Sequence, residues 1–145
     1  MKILFIADVF GVPGRRAVEE RLADLRNELE ANFCVVNGEN AADGAGITPR
    51  IADRILAAGA DVITLGNHVW RRPEIGPYLA ESDRVIRPAN INRGSPGRGL
   101  TVRPTADGTP VAVINLLGRL FIDPAVGPFE VVDELVDEAG KRAQM

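Results

Sequence analysis

The sequence has few of the features that mark secreted, membrane-bound or nucleic-acid-coating proteins. Only one of its 145 residues is a cysteine, so no internal disulfide can form, and Cys34 is expected to pack in its apolar run as a small hydrophobe. No apolar run approaches the roughly 18 residues that a membrane-spanning helix requires. The apolar start of the chain ends at Asp8, too early for a signal peptide. We therefore expect a soluble protein of the reducing cytoplasm that does not enter a membrane.

The chain also lacks an excess of positive charge. Its net charge is −3, which argues against binding along nucleic acid phosphates but leaves a nucleotide-sized substrate possible. Neither of the glycine-rich phosphate patterns, G-x-G-x-x-G or G-x-x-x-x-G-K-[ST], is present. The glycines at positions 11 and 14 are therefore a weak signal for a phosphate-binding loop.

What the chain does have is enough apolar residues, 46% of the sequence, for one core at this length. Short apolar runs alternate with amphipathic stretches, which predicts one α/β domain over residues 1–145 with a mostly parallel sheet flanked by helices. The predicted strands are 3–7, 33–36, 62–65 and 85–86. Helices are predicted to begin near Pro13, Thr48 and Pro73.

Two further expectations concern the ends of this arrangement. The run 3–7 is wholly apolar, which favours a central strand with both faces covered. After residue 98, the segments 100–103 and 111–116 predict an antiparallel pair. A last helix is predicted to begin near Pro128, with Phe129 among the residues of its apolar side.

Polar residues follow three of the predicted strands. Asp8 follows the first, Glu39 and Asn40 follow the second, and Asn67 and His68 follow the third. The carboxyl ends of parallel strands meet at one edge of a sheet, so these side chains are expected to share a crevice. Carboxylate, amide and imidazole groups are ligands that Mg, Mn, Fe or Zn accept. Glu39 would then bind or bridge metal, and Asn40 would orient a ligand or contact substrate.

Four of these residues also have a purely structural explanation. Asp8 could cap a helix or hold a turn, and the two asparagines could satisfy loop backbone through Asx turns. His68 could be a hydrogen-bonded loop histidine, and its being the only histidine does not by itself indicate catalysis.

The segments around these residues, taken together, resemble the YmdB-like branch of the calcineurin-like metallophosphoesterases. The resemblance lies in residues 8–11 (DVFG), 37–42 (NGENAA), 66–70 (GNHVW), 87–90 (RPAN) and 113–119 (VINLLGR). It implies the first half of a metallophosphoesterase α/β sandwich with two divalent metal ions, Fe or Mn. It also implies hydrolysis of 2',3'-cyclic nucleotides, or of an RNA-derived phosphodiester, to 3'-nucleotides.

The resemblance also assigns roles to individual residues. Asp8 is similar to the carboxylate that binds the first metal, Glu39 to the ligand between the two metals, and Asn67 to the amide ligand of the second. Asn40 matches a further position at the metal centre, and His68 matches the histidine that assists at the phosphoryl group. Phe10 and Val69 fit this branch rather than the wider superfamily, whereas Arg71 stands where the branch usually has an acid.

No residue matches the histidine segments of the family's C-terminal half, so we expect a C-terminally truncated domain. Alone it should bind metal weakly and hydrolyse 2',3'-cyclic nucleotides negligibly. It should also form homo-oligomers through an unpaired sheet edge and an apolar face. Three functions remain open. They are a phosphodiesterase that supplies half a site here, a truncated noncatalytic half-domain with weak metal or nucleotide binding, and an unrelated Rossmann-like binding domain. The missing glycine fingerprint counts against the third.

Overall fold

A parallel sheet forms the centre of the molecule, in a computed structural model that describes residues 1–92, 94–122 and 126–143. Its strands are β1 (Ile3–Ile6), β2 (Phe33–Asn37), β3 (Val62–Thr64) and β4 (Val85–Ile86). They pair in the order β1-β2-β3-β4, and every pair is parallel. Each connection therefore steps in the same direction, and right-handed crossovers place all the connecting helices on one face.

Three helices connect these strands and a fourth follows later. They are α1 (Gly11–Glu28), α2 (Pro49–Ala57), α3 (Ile75–Glu81) and α4 (Val132–Gly140). Local signals explain α2, because the Thr48 hydroxyl accepts a hydrogen bond of 3.3 Å from the Ile51 N–H at its start. Gly59 follows its end with a φ of +118°. Within the described ranges, none of the helices has the length and apolar character needed to cross a bilayer.

The core lies between the sheet and the first three helices. Val18 and Leu22 of α1 and Ile55 of α2 are buried there against Cys34 and Val36 of β2. The alternate β2 residues point to the opposite face, where Phe33 and Val35 belong to a second buried cluster. Both faces of β2 are thus covered, as its unbroken apolar run predicts.

An antiparallel hairpin covers part of the opposite face of the sheet. Its strands are β5 (Leu100–Pro104) and β6 (Pro110–Ile114), and Gly108 in the turn has a φ of +87°. Val111 and Val113 of β6 pack into the cluster that contains Phe33. Helix α4 packs against both hairpin strands. The layers are therefore helices, parallel sheet, hairpin and α4, which confirms the predicted sheet, helices and antiparallel pair.

Two expectations about burial are wrong. Strand β1 is an edge strand rather than a central one, and its Ile3 and Phe5 side chains are 47% and 59% exposed on the hairpin side. The sequential strand order leaves β1 outermost, and the hairpin cluster includes residues of β2, β3 and β4 but none of β1. Phe129 is 89% exposed because it lies in a short 3-10 turn (Pro128–Glu130) that precedes α4 and is not part of its apolar side.

Candidate active site

The loops after β1, β2 and β3 bring the predicted polar residues to one edge of the sheet. These three strands are parallel neighbours, so their carboxyl ends lie side by side. Two backbone hydrogen bonds join the first two loops, from Val9 N–H to the Asn37 carbonyl and from Gly11 N–H to the Asn40 carbonyl, both 3.0 Å long. The β1 and β2 loops are thus held together before any side chain contributes.

A row of hydrogen bonds connects Asp8, Asn40 and His68 across the three strands. Asn40 Nδ2 donates to Asp8 Oδ1 at 2.7 Å, and Asn40 Oδ1 lies 2.6 Å from His68 Nδ1. An ionised carboxylate only accepts, so the amide nitrogen faces Asp8 and the amide oxygen faces His68. His68 Nδ1 must then carry the hydrogen of the second bond. The other ring nitrogen, Nε2, is left to interact with a ligand.

Asp8 holds its position in an uncommon backbone conformation. Its φ is +47°, in the left-handed region that few residues other than glycine adopt, although aspartate and asparagine are enriched there. Such conformations cost roughly 1–3 kcal/mol and persist where surrounding contacts enforce them. Here the Val9 and Gly11 hydrogen bonds to the next loop enforce the turn that directs Asp8 toward Asn40.

Glu39 lies partly buried beside the third loop. A Cβ atom added to Gly66 would overlap its carboxylate group, so the absence of a side chain at Gly66 makes room for Glu39. Among the described residues, Glu39 Oε2 is buried and has no hydrogen-bond partner. A buried carboxylate oxygen without a partner is costly unless a cation or donor compensates it. This atom is therefore available to contact a cation or a hydrogen-bond donor of a ligand.

Asn67 is the least defined of the five predicted residues. It lies between Gly66 and His68 at the same edge, and its side chain is exposed, with no hydrogen bond to another described residue. The structure thus connects Asp8, Asn40 and His68 directly, places Glu39 against the third loop, and leaves Asn67 facing solvent. Their roles as ligands or catalyst stay predictions.

The donor set fits part of a shell for hard cations. Asp8 and Glu39 would contribute carboxylates, and the amide oxygens of Asn40 and Asn67 would add to the kind of oxygen-rich set that Mn or Mg accepts. In the part of the chain that the structure describes, no group of three or more His, Cys, Asp and Glu side chains could hold a metal ion. Asn40 already accepts from His68, so only the second lone pair of its Oδ1 remains for a cation.

Two arginines that the sequence did not single out support the loop that carries Glu39 and Asn40. Arg15 of α1 donates to the Ala41 carbonyl at 2.6 Å. Arg72 donates to the Ala42 and Ala45 carbonyls at 3.0 and 3.2 Å. No local pattern distinguishes these arginines from solvated ones, because their acceptors are backbone groups about 26 to 30 residues away in the chain.

The profile of a family described as YmdB-like protein matches residues 4–145. The chain belongs to the YmdB-like family. A relative from Bacillus subtilis, named 2',3'-cyclic-nucleotide 2'-phosphodiesterase, is 46% identical over 98% of this chain and 53% of its own length. A Mycoplasma pneumoniae relative named putative phosphatase/phosphodiesterase is 29% identical over 94% of this chain and 50% of its own length.

Solved structures agree with this YmdB-like assignment. A hypothetical protein from Thermus thermophilus is 39% identical, with a TM-score of 0.86 over 95% of this chain and 53% of that one. A structure described as a novel phosphatase from Mycoplasma pneumoniae has a TM-score of 0.85 at 28% identity, over 95% of this chain and 51% of that one. The chain spans about half the length of the curated relatives it matches.

Proposed function

We propose that this chain supplies the Asp8, Glu39, Asn40, Asn67 and His68 side of a phosphodiesterase site that converts 2',3'-cyclic nucleotides to 3'-nucleotides. The observation that carries the proposal is the hydrogen-bonded row of Asp8, Asn40 and His68 at the carboxyl edge of the sheet. The 46% identity to a protein named 2',3'-cyclic-nucleotide 2'-phosphodiesterase supports the choice of substrate.

Asp8, Glu39, Asn40 and Asn67 would hold two divalent ions, Fe or Mn. When bound, such ions supply Lewis-acid stabilisation of the charge that phosphate oxygens gain during hydrolysis. The buried, unpaired Oε2 of Glu39 supports a cation next to this side chain. The second oxygen of Asp8, which does not accept from Asn40, provides another donor.

His68 would act on the leaving oxygen of the sugar. With Nδ1 donating to Asn40, a protonated ring presents its second hydrogen on Nε2. That proton passes to the 2' oxygen as the bond between phosphorus and this oxygen breaks, while water adds its oxygen to phosphorus and releases a proton that restores the ring. Asn40 orients the ring and stabilises its positive charge through Oδ1, while Asp8 fixes the orientation of the Asn40 amide.

The test measures which nucleotide is released. We would assay the chain itself, and a chimera in which residues 1–145 replace the matching half of the B. subtilis relative, with 2',3'-cyclic AMP and Mn²⁺. Chromatography separates 2'-AMP from 3'-AMP. We expect 3'-AMP from the chimera, and far slower hydrolysis by the chain alone because two carboxylates are few donors for two divalent ions.

Two substitutions in the chimera separate proton transfer from metal binding. His68→Ala should lower turnover by about 100- to 10,000-fold while bound metal is retained, because a proton donor contributes that much to rate. Glu39→Gln should lower metal content, and Glu74→Gln, a change at an exposed glutamate outside the site, should alter neither. A folded chimera that releases 2'-AMP, or that keeps its turnover without His68, would contradict the proposal.

A further inference from the structure

A second polar cavity lies beside the loop that supports the candidate active site. It has a volume of about 390 Å³, and α1, α2 and the loop of residues 42–48 contribute to its walls. Four arginines line it: Arg15, Arg50, Arg54 and Arg72. We call this cavity the arginine cleft. None of the five residues of the candidate active site lines it.

The arginine cleft carries an excess of positive charge. Two carboxylates oppose its four guanidinium groups: Glu19 pairs with Arg54, and Asp43 lies 3.8 Å from Arg15 and 3.9 Å from Arg72. The side chain of Asp43 is 72% exposed, so these two longer contacts are screened by water. An excess of two positive charges therefore remains in a protein whose net charge is −3.

Two of the four arginines are held by hydrogen bonds, and the guanidinium group of a third has no partner among the described residues. Arg15 and Arg72 are fixed by the backbone carbonyls of residues 41, 42 and 45, and each keeps further N–H groups for a ligand. The Arg50 side chain is exposed and forms no hydrogen bond or ion pair with any other described residue. Donors that are already fixed lower the entropic cost of binding an anion. The free guanidinium of Arg50 can then add further hydrogen bonds to the bound anion.

We propose that the arginine cleft binds the phosphate group of a nucleotide-sized ligand. Several convergent guanidinium groups suit a phosphate, since each presents paired donors to its oxygens. The acidic net charge and the cavity volume of about 390 Å³ favour a small ligand over a long nucleic acid. The inference does not depend on the proposed activity, because it concerns different side chains.

The experiment titrates the isotopically labelled chain with inorganic phosphate, 3'-AMP and a ten-nucleotide RNA while its amide NMR signals are recorded. EDTA is present, so that divalent ions at the candidate active site do not contribute. We expect phosphate and 3'-AMP to shift the signals of residues 42–54, with affinity that weakens as salt is added. A ten-nucleotide RNA that binds far more tightly than 3'-AMP would overturn the choice of a nucleotide-sized ligand.

Three variants test whether the arginines carry the binding. Arg50→Gln should weaken phosphate binding roughly three- to tenfold, as expected for an exposed charge-assisted contact. Asp43→Asn should tighten it about two- to fivefold, since a competing carboxylate is removed and asparagine tolerates the φ of +55° at this position. Arg21→Gln removes an equal charge from an α1 residue that does not line the cleft and should change nothing.

The outcome is interpretable even if one variant is unstable. The Arg50 side chain contacts no polar group of the described residues, so the thermal unfolding temperature of the Arg50→Gln variant should match that of the unsubstituted chain, and circular dichroism checks this. Unchanged affinity in folded Arg50→Gln, or an equal loss in Arg21→Gln, would overturn the proposal. So would phosphate-induced shifts confined to residues 67 and 68.

Discussion

A single asparagine gives the candidate active site its order. Asn40 donates to Asp8 and accepts from His68, because its planar amide group combines a donor nitrogen with an acceptor oxygen. An aspartate in its place would set two carboxylates against each other, and a leucine would leave both neighbours without partners. The sequence placed Asp8, Asn40 and His68 at one edge of the sheet, but it did not reveal this sequence of donors and acceptors.

Gly66 provides the sharpest test of the buried Glu39 carboxylate. In Gly66→Ala the new methyl group would overlap that carboxylate, so the Glu39 side chain must turn away from the third loop. We expect Mn²⁺ to bind about tenfold more weakly or worse, as loss of an oriented ligand predicts. Paramagnetic broadening of amide NMR signals by Mn²⁺ measures this even when affinity is low.

The matched control is Gly76→Ala. Gly76 lies in α3, and a Cβ there would meet nothing within 4 Å. This variant should keep its Mn²⁺ affinity, and it should be slightly more stable because alanine favours the helix. Equal broadening in the Gly66→Ala variant and the unsubstituted chain would contradict a ligand role for Glu39.

At the scale of elements, local sequence signals correctly predicted the ends of helices. Thr48 and Pro49 mark the start of α2, and Gly59 marks its end, since capping and turn conformations depend on adjacent residues. The run that forms β1 was interpreted as a central strand because it is wholly apolar. Its place at the edge depends on the order of strands far apart in the chain, which no local pattern contains.

The arginine supports of the site loop show the same limit. Arg15 looks like any polar residue on the exposed side of an amphipathic helix. Its acceptor, the Ala41 carbonyl, becomes available only once α1 and the loop after β2 pack together. The candidate ligands could be found because each follows a strand, whereas the residues that fix their loop could not.

The burial of Cys34 in β2 predicts how its thiol reacts. Cys34 is fully buried between the sheet and the helices, and this burial raises its pKa to about 11. The native thiol should therefore stay unreactive toward a disulfide reagent at pH 8 and react only on unfolding. Fast labelling in the folded protein would show that β2 is not covered on this face.

The same pKa shift predicts how stability depends on pH. Below the ordinary pKa of 9.0 the thiol is protonated in both the folded and the unfolded state, so its contribution to the free energy of unfolding is fully present. As the pH rises from there toward about 11, the unfolded chain releases a proton that the folded chain keeps, so the free energy of unfolding decreases. Urea unfolding of Cys34→Ala should lack this part of the decrease. Parallel curves for the two proteins would contradict it.

At the scale of the whole molecule, a buried arginine fixes the segment that leads from the parallel sheet to the hairpin. Arg87, 5% exposed, follows β4 and donates to the carbonyls of Pro88, Ser95 and Pro96, and its burial lowers its pKa. At the opposite edge of the sheet the face near β1 is open, with a cavity of about 570 Å³ between it and β6. The expected homo-oligomer would use such an apolar face, and it stays a prediction.

Asn115, directly after β6, connects the two layers and provides the last prediction. Its Nδ2 donates to the Leu65 carbonyl at 2.6 Å and to the Ile86 carbonyl at 3.2 Å, at the ends of β3 and β4. The Ile86 carbonyl also accepts from the Leu65 N–H, so Asn115→Ala would deprive chiefly the Leu65 carbonyl of a donor. We expect the free energy of unfolding to decrease by about 1–3 kcal/mol, the cost of a buried unsatisfied group.

Urea unfolding followed by circular dichroism measures the change in the Asn115→Ala variant, and Asn27→Ala serves as its control. Asn27 is exposed in α1, where alanine should be neutral or slightly stabilising. Hydrogen exchange adds a test of where the loss acts. Because Asn115 joins the layers, its removal should raise exchange of the β5 and β6 amides more than that of α1 amides. A uniform increase would mean that the hairpin and the sheet unfold as one unit without this side chain as their joint.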